Sequence, residues 1–189
     1  MSNGRVNQKL RTRNEILRAA VDLIRTGRDV TMPEIAKAAL VSEATAYRHF
    51  PDLATLLAEA MAGQMPAKAL AGLESTDPVE RTAIATERLL RHVLTYQGSV
   101  RAMIAATITK PATARTRPGL RFGLIDEALD PLTDTLAPEA LAQLKNDLAI
   151  VVSAEALFNL TDLCGLTPEA AIASAVHTAT TLTRAALSS

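Results

Sequence analysis

The segment SEATAYRHF, residues 42–50, concentrates side chains that can contact nucleic acid on one side of a short helical pattern. Glu43 can accept a hydrogen bond from a cytosine amino group, Ala44 can contact a thymine methyl group, and Arg48 can reach guanine or a phosphate. Three further side chains can donate hydrogen bonds to phosphate oxygens, which fixes register without reading sequence: Thr45, Tyr47 and His49. These residue types offer the chemistry of a helix that recognises a DNA groove.

The opposite face of the same segment is apolar, because Ala46 and Phe50 lie four residues apart. One apolar face and one polar face are also typical of an ordinary surface helix. On that interpretation Tyr47 joins Phe50 in the core, and Arg48 is simply solvated. The pattern of this segment alone leaves the two interpretations open.

Three short helices near the N-terminus must position this segment. The apolar residues of 13–25 recur with the period of a helix, and Gly27 predicts its C-terminal end. Thr31 and Glu34 have the spacing of a capping box that begins a second helix, and Ser42 can cap the third. A turn of about three or four residues would join the second helix to the third, which is typical of a helix-turn-helix.

Helical patterns continue through the rest of the chain, and Ala and Leu dominate while aromatic residues make up only 3%. Pro51 and Asp52 would end the third helix and cap the fourth, a linker pattern covers 66–78, and a basic exposed loop is expected over 110–119. Further helices are predicted over residues 52–65, 78–97, 98–109, 120–136, 138–163 and 167–187. We therefore expect an all-α protein with about nine helices.

Charge is unevenly distributed along the chain although the formal net charge is +0. Residues 1–50 contain nine Lys and Arg against five Asp and Glu, and residues 51–189 contain eleven against fifteen. The first thirteen residues hold four basic side chains and no acid: Arg5, Lys9, Arg11 and Arg13. This basic arm in front of a mildly acidic body indicates a polyanionic partner for the N-terminal part.

The composition also indicates the cellular compartment and excludes several classes of function. Cys164 is the only cysteine, so an intrachain disulfide and a cysteine-rich zinc site are excluded, which favours a reducing cytoplasm. No apolar signal region and no uninterrupted apolar stretch of about 18 residues occurs, so we expect a cytoplasmic protein without a membrane partner. The three histidines are widely separated, and no local nucleophile–base pair is recognisable, so neither a metal site, a cofactor nor an enzyme is predicted.

Residues 12–57 resemble the N-terminal domain of the TetR family of transcriptional regulators. The motifs that carry the resemblance are Ile16-Leu17-x-Ala19-Ala20, Thr31, Glu34-Ile35-Ala36, Val41-Ser42, Thr45-Ala46-Tyr47-Arg48-His49-Phe50 and Leu56-Leu57. The resemblance implies a homodimeric, all-helical repressor that binds a palindromic operator and releases it when a small molecule enters the C-terminal domain. It also implies an N-terminal arm and helix-turn-helix domain over 1–51, and a helical ligand-binding and dimerisation domain over 52–189.

The resemblance also assigns residues to the DNA contact. Glu43, Ala44 and Tyr47 would face the bases with Arg48 close by, and the basic arm before the first helix would approach the DNA backbone or the minor groove. Lys37 is a further phosphate candidate, although such surface lysines are often only solvated. The complete set of DNA-binding residues is Arg11, Arg13, Thr31, Lys37, Ser42, Glu43, Ala44, Thr45, Tyr47, Arg48 and His49.

Two positions depart from the family pattern. Leu40 stands where the turn between the two helices commonly has Gly, so either Leu40 adopts φ > 0, at a cost of about 1 kcal/mol, or the turn closes another way. Leu53 stands where the family commonly has a phosphate-binding Lys. Neither departure abolishes the interface, but together they predict somewhat weaker binding to the DNA backbone. They are the only features that support the alternative of a helical small-molecule-binding or scaffold module that has lost DNA recognition.

The C-terminal helices 148–160 and 170–187 are apolar most of the way round and rich in small residues. The resemblance implies that these last two helices form a four-helix bundle with a second copy, whereas burial within a monomer explains the same pattern. A ligand pocket should be mostly apolar with a few orienting polar groups. Its candidate residues are Met61, Met65, His92, Tyr96, Met103, Phe122, Phe158, Asn159 and Asp162, each of which could instead be structural.

Overall fold

A computed structural model of the chain describes residues 3–62, 64, 70–109 and 119–188. The elements in these ranges are α1 (Asn3–Ile24), α2 (Met32–Ala38), α3 (Glu43–His49), α4 (Leu53–Met61), α5 (Pro78–Thr95), α6 (Gln97–Thr109), α7 (Leu120–Leu129), α8 (Pro138–Val151), α9 (Ala154–Phe158) and α10 (Pro168–Leu187). A 3₁₀ turn, Asp130–Leu132, follows α7, and a π-helical turn, Asn159–Leu163, follows α9. The protein is all-α, as predicted, and the nine predicted helices are present with the eighth divided into α8 and α9.

The chain forms two compact units. The first contains α1 to α4 together with α6, and the second contains α5 up to Leu94 and α7 to α10. In the first unit α1 packs against α2, α3 and α4, and α4 packs against α6. In the second unit α8 packs against α7 and α10. None of the described helices combines the length and the apolar character needed to cross a membrane.

The helix starts that the sequence predicts are formed by side-chain caps. Thr31 and Glu34 form the complete capping box at α2, with the Thr31 N–H donating to Glu34 Oε2 over 2.9 Å. Ser42 Oγ accepts from the Thr45 N–H at α3 over 3.2 Å, and Asp52 Oδ1 accepts from the Thr55 N–H at α4 over 2.7 Å. Thr167 caps α10 in the same way. These caps satisfy backbone donors that would otherwise lack partners, so each helix begins at a defined residue.

The first helix is longer than predicted. It begins at Asn3 rather than near Arg13, so Arg11 and Arg13 lie within α1 and not on an arm in front of it. The predicted arm is therefore wrong for these residues. The physical reason is that 7–13, NQKLRTR, contains no helix breaker and several strong helix formers, although no apolar stripe marks it as helical.

Three other helix boundaries also differ from the prediction. Gly98 and Ser99, expected to separate two helices, are buried in the first turn of α6, and the break falls at Tyr96. Helix α7 ends at Leu129, because Pro131 cannot continue an α-helix and a 3₁₀ turn replaces it. Helix α4 ends at Met61 instead of near residue 65. The predicted loop over 110–119 lies, except for Gly119, outside the described residues.

The predicted helix over 138–163 is interrupted after Val151. Val152 has φ −82° and ψ 65°, and Ser153 is fully extended. The Ser153 hydroxyl donates to the Ile150 carbonyl over 2.8 Å and accepts from the Ala156 N–H over 3.0 Å. Three consecutive β-branched residues, followed by a serine that can bond to the backbone, make this the weakest point of the helix.

Candidate DNA-binding surface

Helix α3 presents a polar face to solvent and buries its apolar face. Ala46 and Phe50 are completely buried, whereas Tyr47 is 48% exposed. The remaining residues of the outer face are also exposed: Ser42, Glu43, Ala44 and Arg48. Tyr47 is therefore not part of the core, and the interpretation of this segment as ordinary helical core does not hold for its outer face.

A chain of hydrogen bonds fixes one edge of this face. Ser42 Oγ and Thr45 Oγ1 lie 2.9 Å apart, and Arg48 Nη2 donates to Thr45 Oγ1 over 2.8 Å. The three residues are spaced by three along the helix, so the Arg48 side chain lies back along α3 toward its N-terminus. The Arg48 guanidinium keeps further N–H groups that can donate to a base edge or a phosphate. The hydrogen bond to Thr45 thus restricts the position of the Arg48 guanidinium in the protein alone.

The turn in front of α3 closes through Leu40 in the left-handed conformation, with φ 56°. The Leu40 N–H donates to the Lys37 carbonyl over 3.1 Å, and the Val41 N–H donates to the Ala36 carbonyl over 3.0 Å. This pair of bonds is a Schellman motif, which satisfies the last carbonyls of α2. Of the two alternatives that the sequence left open, the structure shows φ > 0 at Leu40. The Leu40 side chain, 93% exposed, gains almost nothing from packing.

His49 lies among positive charges at the end of α3. Partial burial lowers the pKa of His49 below its usual value, and the nearby charges of Lys9, Arg13 and Arg48 lower that pKa further. Within the described part of the chain its Nδ1 atom has no hydrogen-bond partner. His49 is therefore mainly neutral at neutral pH, and the charges of Lys9 and Arg48 make the potential beside it positive.

Arg13 is held by an internal carboxylate. Both of its terminal nitrogens donate to the carboxylate of Glu59 on α4, with an Nη2–Oε2 distance of 2.6 Å. The guanidinium carbon also lies 4.5 Å from the centre of the Phe50 ring. The hydrogen bonds from Arg13 lower the pKa of Glu59, so the carboxylate is ionised at neutral pH. The sequence pattern did not reveal Glu59, because it stands 46 residues away from Arg13 and outside every local motif.

The other predicted DNA-binding residues lie on the same compact unit. Arg11 is exposed on α1, where it lines a shallow surface groove, and Lys37 is exposed on α2. The Thr31 hydroxyl is used within the capping box, donating to Glu34 Oε2 over 2.8 Å and accepting from the Glu34 N–H. Leu53, half-buried at the start of α4, supplies no charge. The assignment of these residues to DNA contacts stays a prediction.

The candidate ligand-binding residues differ widely in exposure. Met61, Met103 and Phe158 are buried, and His92 and Tyr96 are half-buried. Phe122, Asn159 and Asp162 are exposed, and Met65 lies outside the described residues. Burial lowers the pKa of His92. The grouping of these side chains around one small molecule stays a prediction.

Residues 16–60 match the model of a known family, described as bacterial regulatory proteins, tetR family. Among solved structures the chain is similar to a TetR transcriptional regulator from Rhodococcus sp. RHA1. The two share 23% sequence identity, the match covers 92% of this chain and 96% of that chain, and the TM-score is 0.59. Among curated proteins no significant match is found.

Proposed function

The N-terminal domain of this chain belongs to the TetR family, and from that premise we propose that the protein is a ligand-responsive repressor that binds a palindromic operator as a homodimer. Its fold is that of a TetR-family DNA-binding transcriptional regulator. The proposal further assigns DNA recognition to residues 1–51, and ligand binding and dimerisation to residues 52–189. A cytoplasmic location follows from the same proposal.

The observation that carries the proposal is the exposed face of α3. Glu43, Ala44 and Tyr47 form its outer surface, and they offer a carboxylate acceptor, a methyl group and a phenol. A helix that enters the major groove must present such groups without a clash from larger apolar side chains. The internal bond from Arg48 to Thr45 keeps a guanidinium beside this face. The surface is therefore suited to base contacts flanked by phosphate contacts.

Dimerisation through the last two predicted helices, which correspond to α8 with α9 and to α10, would bring two copies of α3 into one assembly. Support comes from the packing of α8 on α10 and from apolar side chains that one copy leaves exposed, such as Ile150 on α8 and Leu187 on α10. Two reading helices about 34–36 Å apart would fit successive major grooves of an operator.

Release of the operator would be a shift between two arrangements of the dimer. One arrangement binds the operator and the other does not. A small molecule can lower operator affinity by no more than the ratio of its own affinities for these two arrangements, so a ligand that binds both equally well does not release the operator. Among the residues predicted to bind the ligand, Met61, Met103 and Phe158 are buried and apolar, and His92 and Tyr96 are half-buried and carry polar groups. A mostly apolar surface with a few polar groups is typical of small-molecule sites.

The test is selection of binding sites by the full chain from random double-stranded DNA, followed by affinity measurements on the selected site. We expect a palindromic consensus. We also expect Tyr47→Ala to weaken binding to that site by roughly tenfold or more, the loss typical of a base-contacting residue. Tyr47→Phe, which keeps the ring and removes only the hydroxyl, is the matched control and should lose less.

A chain that dimerises but selects no sequence would overturn the repressor proposal. The result would favour the alternative of a helical small-molecule-binding or scaffold module of the same fold. An unchanged affinity for Tyr47→Ala, with a wild-type melting curve, would instead remove Tyr47 from the reading surface.

A further inference from the structure

Arg13, Phe50 and Glu59 form a three-residue cluster, here called the α1–α4 clamp, that joins three elements of the first unit. Arg13 belongs to α1 and Glu59 to α4, and Phe50 is the residue that ends α3. The Arg13 guanidinium carbon lies over the Phe50 ring, 4.5 Å from its centre, while both terminal nitrogens donate to the Glu59 carboxylate. One guanidinium therefore contacts both of the other elements at once.

The geometry of the clamp leaves Arg13 little freedom. A bidentate pair fixes the plane of the guanidinium relative to the carboxylate, and the attraction between the cation and the ring holds the guanidinium carbon over Phe50. Phe50 is completely buried, so the ring cannot follow a moving arginine. The side chains of Arg13 and Glu59 are 33% and 39% exposed, so water still reaches the pair, and the bidentate geometry rather than burial holds it together.

The clamp acts on the C-terminal end of α3, the proposed recognition helix. The Phe50 N–H donates to the Ala46 carbonyl over 2.9 Å and thereby closes the last turn of α3. The neighbouring His49 lies close enough to Arg13 for its pKa to be affected by that charge. The position of this last turn therefore depends on where α1 and α4 hold Arg13.

The clamp also makes Arg13 a poor phosphate ligand. The Glu59 carboxylate neutralises the guanidinium charge, so the pair attracts few counterions that DNA could release. A phosphate approaching Arg13 would also approach Glu59 and be repelled by it. Arg48, which bonds to the neutral Thr45 hydroxyl, carries no such penalty at that contact.

We propose that Arg13 is a positioning residue that holds the C-terminal end of α3 between α1 and α4 through Phe50 and Glu59, and that it does not bind DNA itself. The proposal rests on the proposed function, since it concerns how α3 is presented to an operator. It replaces the sequence-based assignment of Arg13 to the DNA backbone.

The experiment measures operator affinity of the full chain at several salt concentrations for wild type, Arg13→Gln, Glu59→Gln and the double variant. We expect each single variant to weaken specific binding by a similar factor, about tenfold, and the double variant to be no worse than either single one. The slope of log affinity against log salt should stay at the wild-type value. Arg11→Gln serves as the comparison at a neighbouring exposed arginine.

Opposite results would overturn the proposal. If Arg13 binds phosphate, Arg13→Gln lowers the salt slope by about 0.9 per contact, and Glu59→Gln frees the arginine and tightens binding. If the clamp serves stability alone, the variants melt at lower temperature but bind with wild-type affinity where they are folded. Either pattern refutes a positioning role.

A fourth clamp variant covers loss of folding. Glu59→Asp keeps the charge but shortens the side chain, so it cannot maintain both hydrogen bonds while Arg13 stays on the ring, and the same loss of affinity is expected. A wild-type chain that selects no operator would overturn the proposed function and this inference together. A wild-type chain that binds, with variants that behave as phosphate-contact variants, would overturn the inference alone.

Discussion

At Leu40 the backbone adopts a conformation that suits glycine, and the leucine side chain offers no compensation. Its φ is 56° and its side chain is 93% exposed. The Schellman hydrogen bonds of the Lys37 and Ala36 carbonyls nevertheless form. The turn thus accepts local strain in order to end α2 and begin α3 within a few residues.

Leu40→Gly should stabilise the protein. Glycine removes a steric cost of about 1 kcal/mol in the folded state, partly offset by the greater freedom of the unfolded chain. In a chain of this size that corresponds to a rise of about 2–4 °C in melting temperature at most. Leu40→Ala, which keeps a Cβ at positive φ, is the control and should leave the melting temperature nearly unchanged. Equal melting temperatures for both variants would contradict strain at this position.

His49 should make stability depend on pH. Its pKa is lowered in the folded state from a usual value of 6.5, so the unfolded chain takes up the proton first as the pH falls. The free energy of unfolding should therefore be highest above about pH 6.5 and decrease as the pH falls through that value toward the folded-state pKa.

Urea unfolding of wild type and His49→Gln at about pH 8 and about pH 5.5 measures this contribution. We expect wild type to lose more stability than the variant over this interval, because glutamine does not titrate. The comparison cancels the effect of His92, whose pKa is lowered by burial in both chains. An equal loss in both chains would exclude a titrating His49.

At the scale of elements, the sequence predicted what local side chains decide. The caps Thr31, Ser42 and Asp52 begin their helices as expected, because each needs only a side-chain oxygen close in sequence to the N–H that it accepts. The start of α1 at Asn3 and the break at Ser153 were not predicted. The first has no apolar periodicity to mark it, and the second depends on a balance between β-branched residues and a capping serine.

The clamp could not have been predicted at this scale. Arg13 and Glu59 are 46 residues apart, and each has an ordinary helical environment in the sequence. The sequence alone indicates a DNA contact at Arg13, because Arg13 is a basic residue near the N-terminus. The Glu59 carboxylate that neutralises it comes close only when α1 packs against α4.

Gly98 brings the start of α6 into direct backbone contact with the loop between α1 and α2. A Cβ atom at Gly98 would lie 2.6 Å from the carbonyl carbon and oxygen of Arg28, which are backbone atoms that cannot rotate away. A second close approach involves Gly27, where a Cβ would lie 3.3 Å from the Thr95 carbonyl oxygen. These two main-chain segments pack without side chains between them.

Gly98→Ala should therefore destabilise the protein, by about 1–3 kcal/mol, although alanine is the better helix former. The matched control is Gly123→Ala in α7, where a Cβ meets nothing within 4 Å and a gain of about 0.5–1 kcal/mol is expected. Thermal unfolding of the two variants measures the difference. A Gly98→Ala variant as stable as Gly123→Ala would mean that the loop moves freely away from α6.

At the scale of the whole molecule, charge is divided along the chain. Residues 1–50 carry the basic excess and residues 51–189 the acidic excess. This division was visible in the sequence, since counting charges needs no fold. The operator, the ligand and the pairing of two copies were not, because they depend on surfaces assembled from distant residues and on a second molecule.

Arg11→Gln should reduce the salt dependence of DNA binding. Each phosphate contact contributes about 0.9 to the slope of log affinity against log salt, so losing one contact per protomer removes about 1.8 in a dimer. Sequence preference should stay the same, since phosphate contacts carry no base information. Arg88→Gln, an exposed arginine of α5 in the second unit, is the control and should leave the slope unchanged. A slope unaffected by Arg11→Gln would exclude Arg11 from the phosphates.

Leu40 also has a consequence for the gene that encodes this turn. The residues enriched at positive φ, as at Leu40, are glycine, asparagine, aspartate and histidine. Of these, only histidine can be reached from leucine by a single base change, and only from the codons CUU and CUC. Valine, reachable from every leucine codon, is β-branched and suits this backbone even less. Where the Leu40 codon is CUU or CUC, a single base change can thus relieve the strain by placing an imidazole on this exposed turn, just before the proposed recognition helix.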